Sequence, residues 1–151
     1  MGQQRISILD LSTVATSIVA AYRGVDFNGA QITAANAKIY GISKHAAAIG
    51  EALELGVLGT MTCEAGAAIT KGAALAMDTT GRVVAATTLT AAVGSLAVGT
   101  GAVAMTSTAA NGAVITGAPT LTGGDLPQFI VGHALEAAGA AGAFIEVLLS
   151  R

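Results

Sequence analysis

Alternating apolar and polar residues mark the two clearest strands of the chain. In "FIEVLL", Ile145, Val147 and Leu149 share one face while Phe144, Glu146 and Leu148 share the other. "ALELGV" repeats the pattern, with Leu53, Leu55 and Val57 on one face and Ala52 and Glu54 on the other. Each strand follows the same kind of approach: "IYGISKHAAAIG" in the first case and "IVGHALEAAGAAG" in the second. Laid together, Ile39 falls on Ile130, Gly41 on Gly132, Ala46 and Ala47 on Ala137 and Ala138, Gly50 on Gly142, and Glu54 on Glu146. Both glutamates sit on the less apolar face, where a solvated position is expected.

Further upstream a second pair of segments matches. "YRGVDFNGAQITAA" and "ALAMDTTGRVVAA" each read as an apolar strand, an Asp-x-x-Gly turn and another apolar strand. Asp26 falls on Asp78, Gly29 on Gly81, Ile32 on Val84 and Val25 on Met77. Aspartate bonds to amides two residues on, glycine supplies the positive φ, and Asn28-Gly29 is a hairpin signal. The hairpins lie 52 residues apart and the Ile-x-Gly segments 91 apart, so the second copy carries an insertion at 87–126. That insertion coincides with the stretch between Arg82 and Asp125 that has no charged residue.

The predicted architecture is therefore an all-β domain built from two pseudo-repeated hairpin modules. Module one spans 17–60, and module two spans 61–86 plus 127–151. The Gly/Ala/Thr-rich insertion, with "SLAV", "AVAM" and "AVIT" as short strands, is also expected to be β. "GTMTCEAGAAITKGAALAMD" reads as a strand, a turn and a strand leading into the second hairpin. "GHALEAAGAAGAF" has helix-forming composition, but Gly139 and Gly142 interrupt it, and we read strand, turn, strand. Residues 1–16 form an N-terminal arm. Their surroundings allow either an extended strand pairing along a sheet or a short helix capped by Asp10 or Ser12 and ended at Gly24. The β-branched residues there favour a strand.

Composition changes the picture in one respect. Charged residues are 11% of 151, and mean hydropathy is +0.70, yet the apolar fraction is mostly Ala and Val. A free-standing domain carries more surface charge than this, so much of the surface is expected to be covered by copies of the chain or by a partner. A net charge of −2 without a basic cluster argues against nucleic acid. The charge-free stretch contains Asn111 and Pro119 and few Leu, Ile or Phe, which argues against a membrane span. Asp10 breaks the apolar run that a secretory signal needs, and Ile6 stands where a myristoylation site needs Ser or Thr.

No catalytic constellation emerges. "GTGAVA", from Gly99 to Ala104, fits a dinucleotide pattern but is followed by an Asn-Gly turn instead of a helix. His45 and His133 have no His or Cys neighbour at metal-ligand spacing, and His133 reads as a structural residue of an apolar strand. Cys63 alone forms no internal disulfide and reads as a buried hydrophobe. We expect no enzyme activity, no cofactor and no metal.

The segment from Ala21 to Ala86, joined to "FIVGHALEAAGAAGAFIEVLL", resembles the small capsid decoration (cement) proteins of tailed bacteriophages, the DUF2190-like group. The motifs that carry the resemblance are "AGAAI..G..L..D..GRVV.A" and "G.ALEAA.AAG..IEVLL". It implies a small β-barrel or β-tulip domain, commonly a homotrimer. It further implies a place on the outer surface of the mature virion capsid, after synthesis in the host bacterial cytoplasm, bridging major capsid subunits. The partners implied are the major capsid protein and the chain itself. The arm, with Arg5, Ile6, Ile8, Leu9 and Leu11, is the expected capsid contact. The chain departs from the family pattern in its insertion, where Leu96, Val98, Val103, Met105, Val114 and Ile115 are expected to make intersubunit contacts. A head-fibre or glycan-binding adhesion module is the alternative; two Tyr and three Phe leave it few rings to stack on sugars.

Overall fold

A computed structural model describes residues 6–87 and 128–150. Among these residues there is no helix. The strands are β1 (Ser7–Val14), β2 (Gly24–Val25), β3 (Gly41–Ser43), β4 (Ala52–Glu64), β5 (Ala74–Met77), β6 (Val83–Ala85), β7 (Gly132–Ala134) and β8 (Phe144–Leu149). Seven of them follow one antiparallel path, β2-β3-β4-β8-β7-β5-β6, and β1 pairs with β4 off that path. The two ends of the path approach each other. Gly24 N–H in β2 donates to the carbonyl of Gly81, in the β5–β6 turn, at 2.7 Å. The sheet is thus a nearly closed barrel, as the alternating pattern leads one to expect.

The hairpin turns form as their sequences dictate. Asp26 Oδ1 accepts from the amides of Asn28 and Ala30 at 2.9 and 2.8 Å, and Asp78 Oδ1 accepts from those of Thr80 and Arg82 at 2.7 and 2.9 Å. Gly29 and Gly81 take φ of 81° and 74°, a region that side chains with a Cβ rarely enter. "GHALEAAGAAGAF" holds no helix: β7 ends at Ala134, Ala138 makes a lone bridge to Ile69, and Gly142 turns the chain into β8.

Residues 7–14 take the extended alternative, as β1, so neither Asp10 nor Ser12 caps a helix. The strand lies on the sheet of its own chain, and its register shows how the repeat is built. Val14–Ala52, Thr13–Leu53, Ser12–Glu54 and Leu11–Leu55 pair in β1–β4. Glu64–Phe144, Cys63–Ile145, Thr62–Glu146 and Met61–Val147 pair in the same sequence in β4–β8. The second half of β4 is therefore the counterpart of β1, and β8 the counterpart of its first half. β4 serves both modules and runs unbroken through residue 60. Along β4 the partner runs from Phe144 to Leu149 and then from Ser7 to Val14, and both Leu149 and Ser7 register on Gly59.

Other bonds recur in step. Val19–Ala47 returns as Ile69–Ala138, and Tyr40 N–H to Val25 O returns as Val131 N–H to Leu75 O. Thus Val25 corresponds to Leu75 in the ladder and not to Met77, as the turn alignment suggests. The second hairpin is longer by Ala76 and Met77. The two buried clusters correspond as well. Leu11, Ala15, Val19, Val25, Tyr40, Ala47, Leu53, Leu55 and Val57 pack in one. Their counterparts Met61, Ala65, Ile69, Leu75, Val131, Ala138, Ile145, Val147 and Leu149 all pack in the other. Burial of matched apolar faces is what fixes register in such a sheet.

Candidate interaction surface

The side chains expected to touch a partner fall into three groups. Ile6, Ile8 and Leu9 are 60%, 73% and 44% exposed. Leu11 instead turns inward and packs against the cluster around Leu53 and Leu55. Arg5 lies outside the described residues, as do Leu96, Val98, Val103, Met105, Val114 and Ile115.

Two further exposed apolar residues, absent from the sequence-based set, gather at the change of partner along β4. Leu58 pairs with Leu9, and Leu148 pairs with Thr60, whose amide donates to Ile6 O at 2.8 Å. Their positions in a strand read simply as the outward set of an alternation. Only the meeting of β1, β4 and β8 brings them beside Ile6 and Leu9. Phe129 and Ile130, also exposed, border a cavity of about 310 Å³ with Lys38, Val57, Leu149 and Ser150.

Charges at this face act within the chain. Lys44 Nζ contacts Asp10 of β1 and lies 2.6 Å from Glu54 Oε1 of β4, with 8% of its side chain exposed. Burial pulls the ammonium toward neutrality, but the hydrogen bonds and charges of Asp10 and Glu54 outweigh it and raise its pKa. Arg23 and Glu64 form a second pair at 2.6 Å, tying the start of β2 to the end of β4. Neither pair was legible in the sequence, because their members are 10 to 41 positions apart with no local spacing to reveal them.

The candidate chemical groups find other surroundings. His45 is exposed, with Nε2 3.3 Å from the Ala52 carbonyl. His133 points outward from β7, paired with Ala74 and Leu148, and is exposed. It occupies the outward-facing position between buried Gly132 and Ala134. Cys63 is fully buried, and loss of solvation pushes its thiol up to about 12. Among the described residues no three His, Cys, Asp or Glu gather as a metal site requires, and no helix is long and apolar enough to cross a membrane.

Comparison with known proteins adds the family. No curated protein sequence matches the chain. Its fold is similar to that of the head fibre gp8.5 N base of bacteriophage phi29, with a TM-score of 0.58 at 17% identity over 94% of this chain and 93% of that one. A family model described as phage cement protein matches residues 3–119, which include β1 to β6 and much of the insertion. The chain belongs to the phage cement protein family and is a capsid-associated protein of the virion.

Proposed function

We propose that the chain decorates the outer surface of a mature phage head as a homotrimer and bridges neighbouring major capsid subunits. The observation that carries this reading is the exposed apolar group at the β1–β4–β8 meeting, Ile6, Ile8, Leu9, Leu58 and Leu148, in a chain of low charge. Apolar side chains presented on a sheet bind by removing area from water, at about 25 cal/mol per Å². Arg5 and Leu11 belong to the same segment; Arg5 adds a charge to the contact, and Leu11 anchors it to the core. The insertion, through Leu96, Val98, Val103, Met105, Val114 and Ile115, supplies the contacts between copies.

The mechanism is linkage. A protein that binds the mature lattice and not its precursor stabilises the mature state by the difference in affinity. A trimer that touches several subunits at once gains further from effective concentration.

The test is sedimentation of purified protein with mature heads and with precursor shells, alongside quantitative mass spectrometry of virions. We expect saturable binding to mature heads, a small fixed copy ratio to the major capsid protein, and at least tenfold weaker binding for I8D/L9D. Equal binding by that variant would remove β1 from the interface. A few copies per virion would favour the head-fibre alternative over lattice decoration.

A further inference from the structure

β1 and residues 57–64 occupy corresponding places in the same sheet, so each serves as a control for the other. Their pairing is alike, residue for residue, from Val14 and Glu64 back to Leu11 and Met61. Their anchoring is not. Residues 57–64 bury Val57, Gly59, Met61 and Cys63, whereas no residue from Ser7 to Val14 is buried. Leu11 and Thr13 are only half-buried where Met61 and Cys63 are fully so. β1 also has two register irregularities, between Ser7 and Leu9 and between Leu9 and Asp10. Its counterpart continues without interruption from the first half of β4, while β1 adjoins Leu149 across a seam that no peptide bond closes.

We propose that β1 is a strap that opens by itself, hinging near the buried Ala15, while the rest of the barrel stays closed. The free energy of local opening follows the apolar area that must be exposed, and β1 has little to lose. The seam at Gly59 lets β1 leave without carrying β8 with it, because the two strands share a partner and not a chain segment. One clamp opposes the opening. Lys44, at the end of β3, holds Asp10 of β1 and Glu54 of β4 together; in the second module its counterpart is Leu135, and that of Asp10 is Thr60. Opening bares the edge of β4 from Ala52 to Gly59. The strap is independent of the decoration reading and stands or falls on its own test.

That test is native-state hydrogen exchange on the whole chain, resolved by residue. The hydrogen-bonded amides of 7–14 are expected to exchange at least tenfold faster than those of 61–64 and 144–149, which pair away from β1. Lys44→Met should accelerate the first set several-fold again and leave the other two unchanged. Equal protection of β1 and its counterpart in the unmodified chain would overturn the proposal, whatever the variant does. Uniform acceleration of all three sets in Lys44→Met would overturn it as well, since β1 would then open only with the whole domain.

Discussion

Tyr22 holds, at φ 62°, the place that Gly72 holds at φ 84° in the other module. The bonds around them agree: Tyr22 N–H donates to Ser43 O at 2.9 Å and Gly72 N–H to Ala134 O at 2.7 Å. A left-handed backbone costs an L-residue roughly 1–2 kcal/mol. Tyr22 offsets that cost through its ring, which meets Phe144 edge-on at 5.5 Å; the counterpart of Phe144 is Ala52.

A double-mutant cycle between Tyr22→Gly and Phe144→Ala should therefore give a coupling of about 0.5–1.5 kcal/mol by denaturant unfolding. Gly72→Tyr, where a Cβ would meet nothing within 4 Å, should lose roughly 1–2 kcal/mol with nothing to offset it. A coupling near zero would mean that the ring contact does not hold Tyr22 in place.

The two turn aspartates are matched in geometry but not in strength. Asp78 adds to the shared amide bonds a contact from Thr80 Oγ1 at 2.8 Å and one from Arg82 Nε at 2.8 Å. We expect Asp78→Ala to cost about 2–3 kcal/mol and Asp26→Ala about 1 kcal/mol. Burial raises the Asp78 pKa, but the bonds from Arg82 and Thr80 outweigh it and hold the carboxyl below its ordinary value. A depressed carboxylate contributes stability that is present above the unfolded pKa, about 3.9, and lost as pH falls through the lower folded value. Urea midpoints of the parent and Asp78→Ala should thus converge as pH falls below about 4. A constant gap through that range would show that the charge is not what stabilises the turn.

Gly132 of β7 pairs with Leu149 of β8. A Cβ there would lie 2.1 Å from the Leu148 carbonyl oxygen and 2.9 Å from its carbon, both backbone atoms that cannot swing aside. Gly132→Ala should cost more than about 4 kcal/mol or abolish folding, read by thermal melting. At Gly139, where a Cβ meets nothing within 4 Å, the same substitution should be nearly silent. Similar melting temperatures for the two variants would contradict the β7–β8 spacing.

Cys63 reports on the second cluster. With its thiol buried and pushed up to about 12, almost none of it is thiolate at neutral pH. Native protein should react with an aromatic disulfide reagent at least a thousandfold more slowly than urea-unfolded protein. Rapid labelling under native conditions would place the thiol at the surface.

The sequence by itself determined the local and the repeated. The period of two in Leu53–Val57 and Ile145–Leu149, the Asp-x-x-Gly turns at 26 and 78, and the order of parts all depend on neighbours a few positions apart. They also sufficed for the resemblance to cement proteins, because turns and apolar faces are what those motifs encode. Tertiary structure alone decided that β1 lies on β4, that one strand serves both modules, and that Leu149 and Ser7 meet at Gly59. It also decided the Lys44–Asp10 and Arg23–Glu64 pairs and brought Leu58 and Leu148 beside Leu9 and Ile6. The physical reason is the range of the interaction. Periodicity and turn chemistry are written within a few residues, whereas strand partners and ion pairs are chosen by which long-range closure buries the matched faces together.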